Sequence, residues 1–314
     1  MKLSIKKQPH KTTQMKTLKE LLEHIKKLPN KRLVVANGID THTIEAVSEA
    51  VDMGLIDATL VGDINKIEKS CQEIGINIKK FNIVDIKEDT QAAQEAVKII
   101  REGKGDMLMK GLISTDKYMR AILNKEYGLV PPKGLLTHIT VMETPAYHKL
   151  LVFGDVAIIP NPDLKQKIII VNHLINIARR LGIQKPKVAL IAASEQVSEA
   201  MPATIDAAII SKMAERGQIK NAIIEGPMGL DLAIDMESVK IKGLNSPVGG
   251  DADCLLFPNI EAGNVFYKAN TKLAGARLGA IVVGAVAPCI LSSRGDTAET
   301  KLYSIALASL TAAQ

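Results

Sequence analysis

The stretch CILSSRGDTAET, from Cys289 to Thr300, sets two serines and an arginine immediately before two acids. Arginine offers a planar fork of donors suited to phosphate oxygens, and the hydroxyls of Ser292 and Ser293 add more. If the segment leaves a strand and enters a helix, the helix N-terminus contributes free N–H groups and partial positive charge. That is chemistry for holding an anion. A structural reading competes with it. Asp296 followed by Glu299 fits a helix cap, and Leu302, Ile305, Ala306 and Leu310 supply one apolar face. The cap accounts for the acids but not for Ser292, Ser293 and Arg294, so both readings stand at this point.

Two other groupings carry polar residues where strands should end. In ADCLLFPNIEAGNVFYK (252–268), Glu261, Gly263, Asn264 and Lys268 fall at or just inside a helix start, which a plain strand–turn–helix with Gly263 near the cap also explains. In MKGLISTDKYMRAIL (109–123), Ser114 or Thr115 caps an amphipathic helix that carries Arg120. Other chemistries lack their signatures: there is no G-x-S-x-G elbow, no G-x-x-x-x-G-K-[ST] loop and no G-x-G-x-x-G fingerprint. The six histidines form no H-x-x-x-H or H-E-x-x-H pair, so no metal site is expected, and His138, His148 and His173 read as packed or surface residues.

The elements that must position these groups alternate. RLVVANGI (32–39), ATLVGD (58–63), FNIVDI (81–86) and DMLMKG (106–111) read as buried strands, each followed or preceded by a helix-period segment. This β-α rhythm predicts parallel-rich sheets covered by helices, an α/β fold. It breaks at GLVPPKG (128–134), after which LLTHITVMETPAYHKLLVFGDVAIIP reads as a hairpin. Alternation then resumes through the helix beginning near NPD at 161 to a last strand, AIVVGAVAP (280–288), and a final helix from about Asp296 to Leu310. A domain boundary is expected near 134–138.

Composition bounds the partners. Aromatics make up 3% of the 314 residues and tryptophan is absent, which leaves little for base-stacking platforms. The net charge of +6 is local: residues 1–32 carry ten Lys/Arg and two Glu, so the remainder sums to 6 − 8 = −2. A solvated basic arm, rather than a nucleic-acid surface, is the expectation. Three widely spaced cysteines without a C-x-x-C pair point to buried thiols in a reducing, cytoplasmic setting. The N-terminal residues lack an apolar signal region, and no stretch reaches the length of a membrane span.

Taken in order, P-N-I-E-A-G-N-V-F-Y-K, a strand and S-S-R-G-D-T-A-E-T-K-L-Y-S-I-A-L-A resemble the phosphate acetyl/butyryltransferase family. MKGLISTDKYMRAIL and the NPD-led helix match it too, so the likeness covers most of the chain beyond about residue 30. The form of the last block is closer to the phosphate butyryltransferases. The resemblance implies two α/β domains of the isocitrate/isopropylmalate dehydrogenase-like kind, 1–135 plus 280–314 and 136–279, with the active site in the cleft between them. It implies a homo-oligomer, no tightly bound cofactor, and coenzyme A and inorganic phosphate as substrates in acyl-CoA + phosphate ⇌ acyl phosphate + CoA. Acetyl transfer, or a relative that binds CoA or another anion without turnover, are the alternatives.

Carried onto this sequence, the family's Ser-Arg pair falls on Ser293 and Arg294, with Ser292 beside them; Arg294 would stabilise transferred charge and Ser293 would position phosphate. Ser114, Thr115, Arg120, Asn264 and Lys268 become substrate-binding positions. One departure stands out. Phosphate acetyltransferases place an aspartate seven residues after the serine as the proposed base for the thiol, and here that position is Thr300. Glu299 joins the catalytic set as a nearby carboxylate, and Asp296 is the other.

Overall fold

The computed structural model describes residues 13–291 and 296–312. Helix α1 (Leu18–Ile25) precedes a first β-α series: β1 (Lys31–Ala36), α2 (Thr41–Asp52), β2 (Ile56–Gly62), α3 (Ile64–Glu73), β3 (Asn82–Asp85), α4 (Asp89–Arg101), β4 (Met107–Lys110) and α5 (Thr115–Leu123). A hairpin of β5 (Thr137–Glu143) and β6 (Leu151–Gly154) follows. The second series holds α6 (Leu164–Arg180), β7 (Lys187–Ile191), α7 (Pro202–Glu215), β8 (Ile223–Met228), α8 (Leu230–Ile234), α9 (Met236–Ile241), β9 (Cys254–Leu256) and α10 (Ile260–Leu273). The chain closes with β10 (Arg277–Val283), β11 (Cys289–Ile290) and α11 (Ala298–Thr311).

All these strands join one mostly parallel sheet in the order β3-β2-β1-β4-β11-β10-β5-β6-β9-β7-β8. The antiparallel pairings are central, where β10 lies between β11 and β5 and the hairpin pairs β5 with β6. A parallel strand covered on both faces must be apolar on both. In β1, Leu33 and Val35 enter one core and Val34 and Ala36 the other. Helix starts follow local chemistry: Asp40 caps α2, Ser114 caps α5, and Asp163 with Gln166 forms a capping box on α6.

Three expectations are corrected. The last apolar run is not a single strand: Gly284, at φ +98, turns the chain, and β11 forms separately between β10 and β4. The cap of α11 is Thr297, whose Oγ1 accepts from the Thr300 N–H at 3.1 Å, not Asp296 with Glu299. Nor is α11 one-faced. Every residue from Lys301 to Leu310 is buried, because the helix packs on β10 and α2 and touches α1 and α6. Helix α10 starts at Ile260 under an Asn259 cap, so Gly263 sits just inside its first turn, as the sequence reading has it.

Among the described residues no helix is long and apolar enough to cross a membrane. Cys71, Cys254 and Cys289 are free and buried. Burial drives the Cys254 thiol well above its ordinary range and pushes Cys289 up to about 12. Because only thiolate reacts readily, the native protein is expected to leave a disulfide reagent essentially unconsumed over minutes; denaturant should release all three thiols. Rapid titration of native protein would contradict this.

Candidate functional site

Strands β4 and β11 run parallel side by side, so their carboxyl ends open on the same edge. Each hands the chain towards a helix: β4 to α5, β11 to α11. A cavity of about 880 Å³ lies between these two helix starts, the beginning of β5, the turn after β6, and α10. Helix α10 faces it with Asn264, Tyr267, Lys268, Thr271 and Lys272, the 3- and 4-residue spacing that puts side chains on one stripe. Ser114 and Thr115 from α5 and Thr297, Glu299 and Thr300 from α11 bring two helix N-termini to the same space.

The cavity is cationic. Lys110, Lys268, Lys272 and Arg277 line it against Asp296 and Glu299, which gives 4 − 2 = +2 among the described residues. Lys110 is buried, and its Nζ donates to the Gly111 and Ile113 carbonyls at 3.3 and 2.9 Å, which holds the β4–α5 connection in place. Arg277 is tied to Glu143 at 2.8 Å and to Glu299 at 3.4 Å. Glu299 also accepts from the Tyr303 hydroxyl at 3.2 Å. Burial, with the Asp296 carboxylate nearby, pushes the Tyr267 phenol above its usual range, so it stays protonated and able to donate. Ile113, Val156 and Leu291 supply apolar wall.

The floor is organised by Asp155, which is 2% exposed. Its Oδ2 accepts from the Thr137 hydroxyl and the His138 N–H, and its Oδ1 from the N–H groups of Ala157 and Ile158. One carboxylate thereby fixes the start of β5 and the turn after β6. Helix α10 is pressed onto that turn. A Cβ on Gly263 would stand 2.6 Å from the Asp155 carbonyl oxygen, and Asn264 Nδ2 donates to the Val156 carbonyl at 3.0 Å. The G-N pair of the E-A-G-N motif is therefore a docking device: glycine permits contact and asparagine clamps it. Gly263→Ala is expected to destabilise the protein by about 1–3 kcal/mol, because the obstruction is backbone and cannot rotate away. A denaturation midpoint unchanged from wild type would contradict that.

Of the residues expected from sequence, Ser114, Thr115, Asn264, Lys268 and Glu299 all line this cavity. Arg120 does not; it is exposed on α5 and pairs with Asp116 at 3.0 Å. Ser292, Ser293 and Arg294 lie outside the described residues, although Leu291 and Asp296, which bracket them in sequence, both line the cavity. Sequence reasoning passed over Lys110, Tyr267, Lys272 and Arg277. A lysine closing the apolar run DMLMK was the one local signal. His138 was read as a packed or surface residue; it is buried, and it also faces the cavity.

A family model, "Phosphate acetyl/butaryl transferase", matches residues 16–99 and 90–309. The phosphate butyryltransferase of Clostridium acetobutylicum is 43% identical over 298 residues, 95% of this chain and 99% of that protein. The phosphate acetyltransferase of Thermotoga maritima is 39% identical over 280 residues, 89% of this chain and 95% of that protein. Among solved structures, a branched-chain phosphotransacylase from Enterococcus faecalis V583 superposes with a TM-score of 0.78 at 29% identity, covering 90% of this chain and all of that one. The cationic cavity between two helix starts is thus built from segments that match one family along nearly the whole chain: the protein belongs to the phosphate acetyl/butyryltransferase family.

Proposed function

We propose that this enzyme transfers a short acyl group between coenzyme A and inorganic phosphate, with butyryl preferred: butyryl-CoA + phosphate ⇌ butyryl phosphate + CoA. The observation that carries the reading is the cationic cavity at two helix N-termini, in a chain 43% identical to a phosphate butyryltransferase. Phosphate attacks the thioester carbonyl, the C–S bond breaks, and the thiolate departs; the reverse direction expels phosphate instead. Negative charge grows on the carbonyl oxygen and on the group that leaves, where fixed cations and N–H groups lower the barrier most. In this proposal Arg294 stabilises that charge and Ser292 and Ser293 hold phosphate. Ser114, Thr115, Asn264 and Lys268 bind substrate, and Glu299 keeps Arg277 aimed at the cavity. A role for Arg120 draws no support from the cavity lining.

The same reading places the site in a cleft between a lobe of residues 1–135 with 280–314 and a lobe of residues 136–279, in a cytoplasmic homo-oligomer. Support for the cleft is that the cavity draws on Lys110 and Glu299 from the first lobe and on Val156 and Lys268 from the second.

The test is CoA release from butyryl-CoA with phosphate present or absent. Phosphate-dependent release supports the proposal; its absence across short acyl-CoA substrates, from folded protein, overturns it. The second reading is acetyl transfer, favoured by the 39% identity to a phosphate acetyltransferase. Ile113, Val156 and Leu291 offer apolar surface to two further methylenes, each worth about 1–3 kcal/mol at most in such a pocket. Butyryl-CoA is therefore expected to exceed acetyl-CoA in kcat/KM by roughly 30-fold or more. An equal or inverted ratio assigns the acetyl reading.

A further inference from the structure

We propose that His138 is the group that takes the proton from the CoA thiol, the task that Thr300 cannot perform. The inference rests on the acyltransferase reading above. His138 is 5% exposed yet lines the cavity, at the start of β5. Its Nδ1 is enclosed and has no hydrogen-bond partner among the described residues, so Nε2 is the ring nitrogen that can meet a thiol in the cavity. Its backbone is held in place. Its backbone N–H is bonded to Asp155, a carboxylate that also anchors the turn carrying Val156 and Ala157 into the cavity.

Of the carboxylates offered by sequence, Glu299 is engaged. Glu299 carries Arg277 and Tyr303, and the Thr300 hydroxyl pairs with that of Thr297 at 3.1 Å. The charged groups sharing the cavity with His138 are Lys110 from β4, Lys268 and Lys272 from α10, Arg277 from β10, and Asp296 and Glu299 before and on α11. Asp155 stands behind it. Burial lowers the pKa of the imidazole, and the Asp155 carboxylate opposes that shift. The ring is therefore neutral at pH 7 and able to accept a proton, and a negative charge waits beside it to stabilise the imidazolium that results.

In the direction from acyl phosphate, the thiol S–H bond breaks and its proton passes to the imidazole as sulfur bonds to the acyl carbon. The acyl C–O bond to phosphate breaks and phosphate leaves with that electron pair. In the reverse direction the imidazolium returns the proton to the departing thiolate.

The experiment compares wild type with His138→Gln and His138→Asn in acetyl or butyryl phosphate plus CoA, from pH 6.5 to 9. A thiol of pKa about 8.5 is roughly 3% ionised at pH 7, so the ionised fraction limits the loss to about 30-fold there. The loss should shrink to about 1.3-fold by pH 9, where most of the thiol is already ionised. A constant deficit at every pH, or none, overturns the proposal in favour of a packing role. Should both variants fail to fold, ¹⁵N NMR of histidine-labelled wild type decides: an imidazole signal that moves with CoA but not with desulfo-CoA supports it, and one indifferent to the sulfur overturns it. Wild type without phosphate-dependent turnover defeats the acyltransferase reading itself, a result distinct from an active wild type with unaffected variants.

Discussion

Replacing Arg294 with alanine is expected to lower turnover of butyryl-CoA with phosphate by roughly 10²–10³, the usual cost of removing one fixed donor at a developing charge. Binding of CoA should change far less, since the loss falls on the transition state rather than on the resting complex. Arg294→Lys should recover only part of the rate, because an ammonium keeps the charge without the planar fork. Initial rates at saturating substrate, with CoA affinity by calorimetry, make the comparison. A near-normal rate in the alanine variant would remove Arg294 from the chemistry.

The second large effect belongs to stability. Asp155→Ala removes the acceptor for four donors, three backbone N–H groups and one hydroxyl, in a nearly dry environment. Hydrogen bonds to a charged group are worth about 1.5–3 kcal/mol each and are not additive, and the cavity can admit water to some orphaned donors. A net loss of about 3–5 kcal/mol follows, or about 5–10 °C in Tm for a chain of this size. Asp155→Asn should fall between, since it keeps an acceptor oxygen but not the charge. Activity should drop with either, as the turn bearing Val156 and Ala157 relaxes. An alanine variant with wild-type Tm would show that the four donors find other partners.

What could be read from the sequence follows the range of the forces involved. The β-α rhythm and the hairpin after GLVPPKG were legible because periodicity and turn chemistry are local. The two-residue β11 was not. Its apolar run continues β10 without a break in hydropathy, and only the partner edge of β4 makes it a separate strand. Thr297 and Asp296 are both competent caps, so the choice between them is settled by where the helix docks. The complete burial of α11 was hidden by Lys301 and two serines, which read as a polar face. Lys301 satisfies its ammonium on the Asp296 carbonyl, and Ser304 returns its hydroxyl to the Thr300 carbonyl. At the cavity, Ser114, Thr115, Asn264 and Lys268, pointed to by the family resemblance, are among the lining residues. His138 was not pointed to, because its surroundings come from Asp155, seventeen positions away, and from helices at the far end of the chain.

The place of β11 and α11 in the structure also governs how the protein is made. Strand β4 leaves the ribosome with its free edge at Leu108 and Met109, and that edge is closed only by Cys289 and Ile290. Translation at about 5–20 residues per second separates the two by roughly 10–40 s. Throughout that interval the nascent chain carries an apolar strand edge and the hollow that α11 will fill, open to any neighbouring strand. No shorter nascent chain assembles the cavity, since its walls run from Lys110 to Thr300. The cavity therefore closes only once synthesis has passed Thr300.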